Sequence, residues 1–419
     1  MVGVKANLSS YLKHFQTEFK VGSFDQRDNA YRYLQGSLKG QTGKRNIQRI
    51  SEQDPKDRYQ SLHHFISHST WDTDSIKAVL QEINKELLAE HSYGYIIDER
   101  SKAKKGKHSA GVGRQYCGST GKIDNCQTGV YSVLTTGEIT LPCNFRLYLP
   151  KDWTSNKRRS KKVGVASADY IDNTKVDLAL EMIRRDRQNG IIPQWYGADS
   201  LYGRAWKLSS YIEDECKSYF VMDTFKDHQI YLCDPTDKRR KPITIEKYMQ
   251  GICLSKAKRV KYQGNKKARV HIAEVFTRNT THDKTPRKRL LIISRGLSKT
   301  DKVKFSLSNF TLSEKTAAQL VFMQRARFTV EQYFRESSQV AGMGDYQVRS
   351  FHAWKHVQIL SMLLMQLLNS IRKKLITKKL ALSIIAIARC VGPILLKVKN
   401  YKLVVLNIIQ NCSPSLNTS

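Results

Sequence analysis

Apolar and polar positions alternate along this chain in stretches of two different periods. Up to about residue 90 the spacing is helical. Leu62, Phe65 and Ile66 fall on one face of a segment beginning near Asp57, and Ile76, Val79, Leu80 and Ile83 line a second one that Asp72 opens. From Tyr93 the period becomes that of strands. Residues 93–98 are a short apolar run ending on a carboxylate, Asp98. Residues 128–134 and 144–149 read as further strands, with a turn at 135–137 and a stop at Pro150. A helix follows. Asn173 or Thr174 can cap it, Val176, Ala179, Leu180 and Ile183 share a side, and Gly190 ends it. Residues 191–198 are again strand-like and again run into a carboxylate, Asp199.

Beyond 217 the chain reads as strand-rich and basic (219–222, 229–232, 269–276, 289–293). Helical spacing returns over 313–336, and 352–371 is a long apolar helix. The most apolar stretch, 380–398, is broken by Arg389, Gly392-Pro393 and Lys397, so a buried or interfacial helix is expected rather than a membrane span. Three meandering strands, a helix and a strand are the opening order of a ribonuclease-H-like α/β fold. The expected layout is a helical domain over 1–90, a catalytic core over 91–216 and 313–372, a β-rich insertion over 217–312, and a helical C-terminal region over 373–419.

Charge sharpens this picture. The 419 residues carry 71 Lys and Arg against 37 Asp and Glu, a net charge of +34 spread along the whole chain. Such an excess calls for a phosphate-rich partner and salt-dependent binding. Short packaging proteins share the bias but lack so large an apolar core. None of the eight cysteines forms a C-x-x-C pair, so a zinc ribbon is not expected. Without an apolar leader at its start, the chain reads as cytoplasmic and, given its charge, nucleoid-associated.

In so basic a chain, carboxylates closing apolar strands stand out. Asp98 and Asp199 both do so, and strand ends are where open α/β sheets bind ligands. Each alone reads equally as a cap for the turn that follows. Glu331 has Arg327 at i−4 and Arg335 at i+4, either a surface ion-pair ladder or a metal ligand flanked by phosphate donors. Glu336 is a rival carboxylate with Gln332 at i−4. Lys102, Lys104, Lys105, Lys107 and Arg114 sit in a Gly/Lys-rich segment expected beside Asp98, either a phosphate-holding loop or a solvated one. His63, His64 and His68, and His352 with His356, lack the pattern of a zinc site. Trp195 and Trp354 read as core residues rather than base-stacking platforms.

Several blocks in order resemble the DDE transposases of bacterial insertion sequences, in the branch with a β-rich insertion. The likeness runs from about residue 30 to about 370. It rests on the segment from Ser61 to Asp72, on Gly111 to Val130 with Arg146 to Pro150 and Trp153, on Ala198-Asp199-x-x-Tyr202-Gly203, and on Arg327-x-x-x-Glu331 as part of a Y-x2-R-x3-E-x6-K motif. Two motif positions depart: Gln324 stands for the Tyr and Ser338 for the Lys, with Tyr333 and Arg335 as candidate replacements. The resemblance implies Asp98, Asp199 and Glu331 as metal ligands, Arg327 as a phosphate contact, and two Mg²⁺ ions with Mn²⁺ as substitute. It further implies cleavage at terminal inverted repeats of double-stranded DNA, strand transfer into target DNA, and a homodimer bridging two ends. A DNA-binding protein that has lost catalysis, or a simple nuclease, would share much of this pattern.

Overall fold

The computed structural model describes residues 8–53, 59–167, 170–236, 241–278, 285–298, 300–377, 380 and 382–395; the C-terminal tail expected beyond these lies outside them. The chain opens with α1 (Leu8–Leu12), the small hairpin β1 (Lys20–Val21) and β2 (Phe24–Asp25), then α2 (Arg27–Lys39), α3 (Ile47–Ser51), α4 (Tyr59–Ser67) and α5 (Thr73–Leu88). Four strands follow, β3 (Gly94–Ala103), β4 (Gly113–Cys117), β5 (Lys122–Thr135) and β6 (Thr140–Leu147), then α6 (Lys151–Thr154), α7 (Lys157–Lys162) and α8 (Lys175–Gln188). Next come β7 (Trp195–Ala198), α9 (Ser200–Gly203), α10 (Trp206–Ser210) and β8 (Tyr219–Asp223). A side pair, β9 (Gln229–Ile230) and β10 (Ile243–Thr244), leads through α11 (Ile245–Met249) to β11 (Lys258–Gln263), β12 (Lys266–Thr277), β13 (Arg287–Gly296) and β14 (Lys304–Ser308). Four helices close the described chain: α12 (Ala317–Ala326), α13 (Phe328–Val340), α14 (Phe351–Ile376) and α15 (Ile384–Leu395).

Ten strands form one mixed sheet in the order β11-β12-β13-β14-β8-β7-β3-β5-β4, with β6 also on β5. β3, β7 and β8 run parallel at its centre and the remaining pairings are antiparallel. The strand-rich stretch after 217 therefore does two things. Its first strand, β8, completes the parallel centre, and β11 to β14 extend the same sheet outward.

Period-two alternation gives the sheet two buried faces. Ile96, Val133 and Phe145 pack with Val330, Tyr333 and Trp354, beneath α13 and α14. Tyr95, Ile97, Val130 and Leu134 pack with Leu178, Ile183 and Leu208, beneath α8 and α10. The α8 helix forms as its sequence predicts. Thr174 and Asp177 make a reciprocal capping box, and Gly190 takes a positive φ of 81° just past the end.

Two elements differ from their pattern. Residues 102–121, read as loop, contain the end of β3 and all of β4. Both strands pair with β5, and β4 is the edge strand of the sheet, with alternate residues exposed, where nothing selects for an apolar stripe. The buried face of α5 includes Lys77, Gln81 and Asn84, while Val79 and Ile83 are only half-buried. Gln81 donates to Asp186 at 2.8 Å, Asn84 to the Pro142 carbonyl at 2.7 Å, and Lys77 to Asn144 at 3.2 Å. A polar face buried with its hydrogen bonds satisfied is invisible to hydrophobic periodicity. Among the described residues, no helix is long and apolar enough to cross a membrane.

Candidate active site

Strand register puts three aspartates in line. Ile97 of β3 lies beside Ala198 of β7, and Ala198 beside Met222 of β8. The next residue on each chain is an aspartate: Asp98, Asp199 and Asp223. Alternation then selects between neighbours. Asp98 shares the face of Ile96, toward α13. Glu99 points the other way, to the Lys175 ammonium at 2.6 Å and the Tyr202 hydroxyl at 3.4 Å.

Asp199 caps the short turn α9, with Oδ1 accepting from the Leu201 and Tyr202 amides at 3.0 and 3.4 Å. Gly203 closes this turn for a steric reason: a Cβ there would stand 2.0 Å from the Asp223 carbonyl oxygen. The Tyr202-Gly203 pair thus seals α9 against β8, Tyr202 being fully buried.

Arg327 lies between the carboxylates, at the junction of α12 and α13. Nη1 is 3.3 Å from Asp98 Oδ2, Nη2 is 2.5 Å from Glu331 Oε1, and Nε is 2.9 Å from Asp223 Oδ2. The last contact is an ion pair without hydrogen-bond alignment, since Nε has no hydrogen-bond partner. Asp223 also accepts from the Ser306 hydroxyl at 2.7 Å. The Arg327 and Asp98 side chains are each 12 % exposed and Asp223 18 %, whereas Glu331 is 43 % exposed.

These surroundings set the electrostatics. Burial, and then the neighbouring Asp199, push Asp98 up to about 8, against the pull of Arg327. Burial also raises Asp199, with Glu99 adding to it. Burial works against the Arg327 charge, but Asp223, Asp98 and Glu331 outweigh it and raise its pKa. Lys304, two residues before Ser306 on β14, is lowered by burial and lies within the influence of Asp223.

The other expected site residues are placed differently. Arg335 is exposed one turn beyond Glu331 and makes no ion pair among the described residues. Glu336 is buried and takes the Gln332 amide at 2.9 Å, away from the cluster. The basic segment does not lie beside Asp98. β3 continues to Ala103, five residues and about 17 Å further on at strand rise. Lys102 donates to the carbonyls of Gly344 and Tyr346, and Lys104 sits 4.3 Å above the Tyr346 ring. Burial lowers Lys102 to about 8 and, with Lys102 nearby, Lys104 to about 7. Lys105, Lys107 and Arg114 are exposed.

Tyr333 is buried with an unpartnered hydroxyl and offers no phosphate contact. The departing motif positions are structural. Gln324 bonds Ser294, Ser306 and the Ile292 carbonyl within the core, and Ser338 bonds the Phe334 carbonyl at 2.6 Å. His352 meets the Ser69 carbonyl, and His356 lies between the carbonyls of Ile66 and Trp71, stacked on the Trp71 ring. Trp195 and Trp354 are core residues. Asp223 is the residue sequence reading passed over. Its signal was the same as that of Asp98 and Asp199, an apolar strand closing on a carboxylate, but it fell inside the stretch read as an insertion.

The donor set is oxygen only, which suits a hard divalent ion such as Mg²⁺. As the side chains stand, no group of three or more His, Cys, Asp or Glu among the described residues closes on one point. The Arg327 guanidinium occupies the middle and supplies the positive charge itself. Asp98 and Asp199, buried and raised in pKa, together with Glu331 paired to Arg327, are oxygen donors that would fit a divalent ion in place of the guanidinium.

Fold and site together define a mixed α/β protein with an acidic centre where the parallel ladder of β3, β7 and β8 ends, Asp98 itself lying mid-strand in β3 rather than closing it as its sequence pattern suggests. The DDE superfamily endonuclease family matches residues 15–280, and the chain belongs to that family. A probable transposase for insertion sequence element IS701 from Microchaete diplosiphon is 28 % identical over 227 residues. That match covers 53 % of this chain and 55 % of the relative, so the chain spans about half the relative's length. Among solved structures, a piggyBac transposase synaptic complex with hairpin DNA aligns over 97 % of this chain and 83 % of that one, at 11 % identity and a TM-score of 0.44. So loose a likeness carries nothing about the chemistry.

Proposed function

We propose that this protein is a transposase that cuts DNA at the ends of an insertion element and joins the released 3′-hydroxyl to target DNA. The observation that carries the proposal is that Arg327 bridges Asp98 and Glu331, while Asp199 follows directly on Ala198, the register partner of Ile97 beside Asp98. Membership of the DDE endonucleases supports the same reading. In it the core is ribonuclease-H-like, formed by residues 91–216 with β8 and by 313–372, with the remainder of 217–312 as the insertion and 1–90 gripping the element end.

Asp98, Asp199 and Glu331 would hold Mg²⁺, with Mn²⁺ as substitute and two ions in the full site. When bound there, the metal polarises attacking and leaving oxygens of an in-line phosphoryl transfer. The chain's residues have separate tasks. Asp199 is aimed by the α9 amides, and Asp98 by its position in β3. Arg327, released from Asp98 and Glu331, has the planar fork that grips a phosphate. Asp223 anchors Arg327 through Nε and so sets where that fork points. Glu331, the most exposed of the acids, closes the site from the side on which DNA enters. Lys102, Lys104, Lys105, Lys107, Arg114 and Arg335 are proposed to track the duplex backbone away from the cut. A homodimer on paired ends, associated with the bacterial nucleoid, completes the reading.

A strand-transfer assay tests it. A labelled, pre-cut element end would be incubated with supercoiled plasmid, Mg²⁺ and protein. Covalent joining of label to plasmid is expected. Cutting without joining would mean a simple nuclease, and binding with neither would mean a DNA-binding protein on this scaffold.

A further inference from the structure

Cations on the outer strands of the sheet are matched by acids at one end and unmatched at the other. On β13, Arg287 and Arg289 meet Glu213 and Asp214, from the turn after α10, at 2.5–2.9 Å. Six residues beyond Arg289, about 20 Å along the strand, Arg295 stands in register with Arg269 of β12. Arg269 is in turn in register with Arg259 of β11. In the next row Lys261 faces Lys267. Val260, Ala268 and Val270 are buried in the core shared with α12, so alternation turns these five cations to the opposite side of the sheet.

That side of the row holds no acid: its positions on β11, β12 and β13 are Arg259 and Lys261, Lys267, Arg269 and His271, Ile293 and Arg295. Among the described residues, the hydrogen bond of Arg269 is to the Ser255 carbonyl. The Arg295 Nε is buried without a hydrogen-bond partner. Arg259, Lys261 and Lys267 are exposed and make no ion pair among the described residues. Like charges directly opposite one another destabilise a sheet. Here one row has three and the next has two, on an edge where the fold gains nothing from them.

We propose that this face is a second duplex-DNA surface that binds backbone phosphates without reading sequence. It lies on the opposite side of the sheet from the face on which Asp98 meets Arg327. Three strands span about 10 Å and the two rows are about 7 Å apart, comparable to the ≈ 12 Å major groove whose flanking phosphates the arginine forks would engage. The proposal rests on the reading that the protein works on DNA, and it gives the molecule a grip on duplex remote from the cut.

The test is the salt dependence of binding to a short random-sequence duplex, followed by fluorescence anisotropy. Full-length wild type would be compared with the triple variant Arg259→Gln, Lys261→Gln, Lys267→Gln. Each phosphate contact contributes about 0.9 to the slope of log K against log salt, so the variant's slope should be shallower by about 2–3. Its melting temperature should be unchanged or higher, since repulsion is removed. Lys267→Gln alone, expected to lower the slope by about 1, serves if the triple variant folds poorly. An unchanged slope in both variants overturns the proposal. Metal-dependent nicking is scored on the same preparations. Steep, variant-sensitive binding by a protein that does not nick would uphold this surface and remove the catalytic reading, while nicking with an unchanged slope would remove this surface alone.

Discussion

Replacing Asp98 with Asn should stabilise the metal-free protein at alkaline pH while removing its activity. Asp98 is buried and its carboxyl is pushed up to about 8 by burial and by Asp199. In the unfolded chain it takes up its proton near 3.9. Between these values the folded state binds more protons than the unfolded one, so this group's contribution to stability falls as pH rises from about 4 to about 8. Four units at 1.36 kcal/mol each set a ceiling of about 5 kcal/mol. That ceiling is already net of the attraction to Arg327, and structural relaxation with water entry around the buried carboxyl reduces it. The net gain is about 2–4 kcal/mol above pH 8 and about zero near pH 4. With an unfolding entropy of about 2.1 cal/mol/K per residue, each kcal/mol moves the melting temperature of a chain of 419 residues by about 1 °C. Thermal melts of wild type and Asp98→Asn in EDTA across this pH range should therefore diverge by about 2–4 °C toward the alkaline end. Added Mg²⁺ should raise the wild-type melt at pH 8 and leave the variant unmoved. A difference that stays flat with pH, or a variant melting below wild type at pH 9, would refute the electrostatic account.

Other substitutions separate the roles of neighbouring groups. Glu331→Gln should abolish nicking, whereas Glu336→Gln, whose carboxylate is bonded to Gln332, should change it less than about tenfold; the reverse order in a nicking assay would exchange the two glutamates. Arg327→Ala should slow cleavage, weaken binding to the scissile end, and cost the metal-free protein about 3–5 kcal/mol by stripping a cation from buried acids. Denaturant titration and cleavage kinetics check both parts. Asp223→Asn should slow cleavage by about 10- to 100-fold through a mis-aimed Arg327; undiminished kinetics would take Asp223 out of the site. Gly203→Ala should behave like a site mutation although its side chain touches no substrate, because its Cβ displaces the Asp223 backbone.

Much of the candidate site was legible because its aspartates close apolar runs, although the strand carrying Asp98 continues beyond it. Asp98 and Asp199 announce themselves by closing apolar runs, and Glu331 by its arginine one turn before. Asp223 carries the same signature, yet only register shows that β8 joins the parallel centre, and register is a long-range property. The Arg327 contacts were illegible for a similar reason: i, i+4 spacing finds Glu331 but not two aspartates more than a hundred residues away. Helix α8 was readable through its cap and terminal glycine, whereas α5 misled because its buried polar face pairs with Asp186, Pro142 and Asn144. The lysines after Asp98 looked adjacent to it in sequence, and a strand that runs on to Ala103 carries them away.

The most direct test of the account is strand nicking on the gene's own flanking DNA by wild type and Asp199→Asn, each with Mg²⁺, Mn²⁺ or EDTA. The account predicts nicks at a repeat boundary that require the metal and vanish in the variant, while binding to the end persists. Nicking that survives in Asp199→Asn would contradict it.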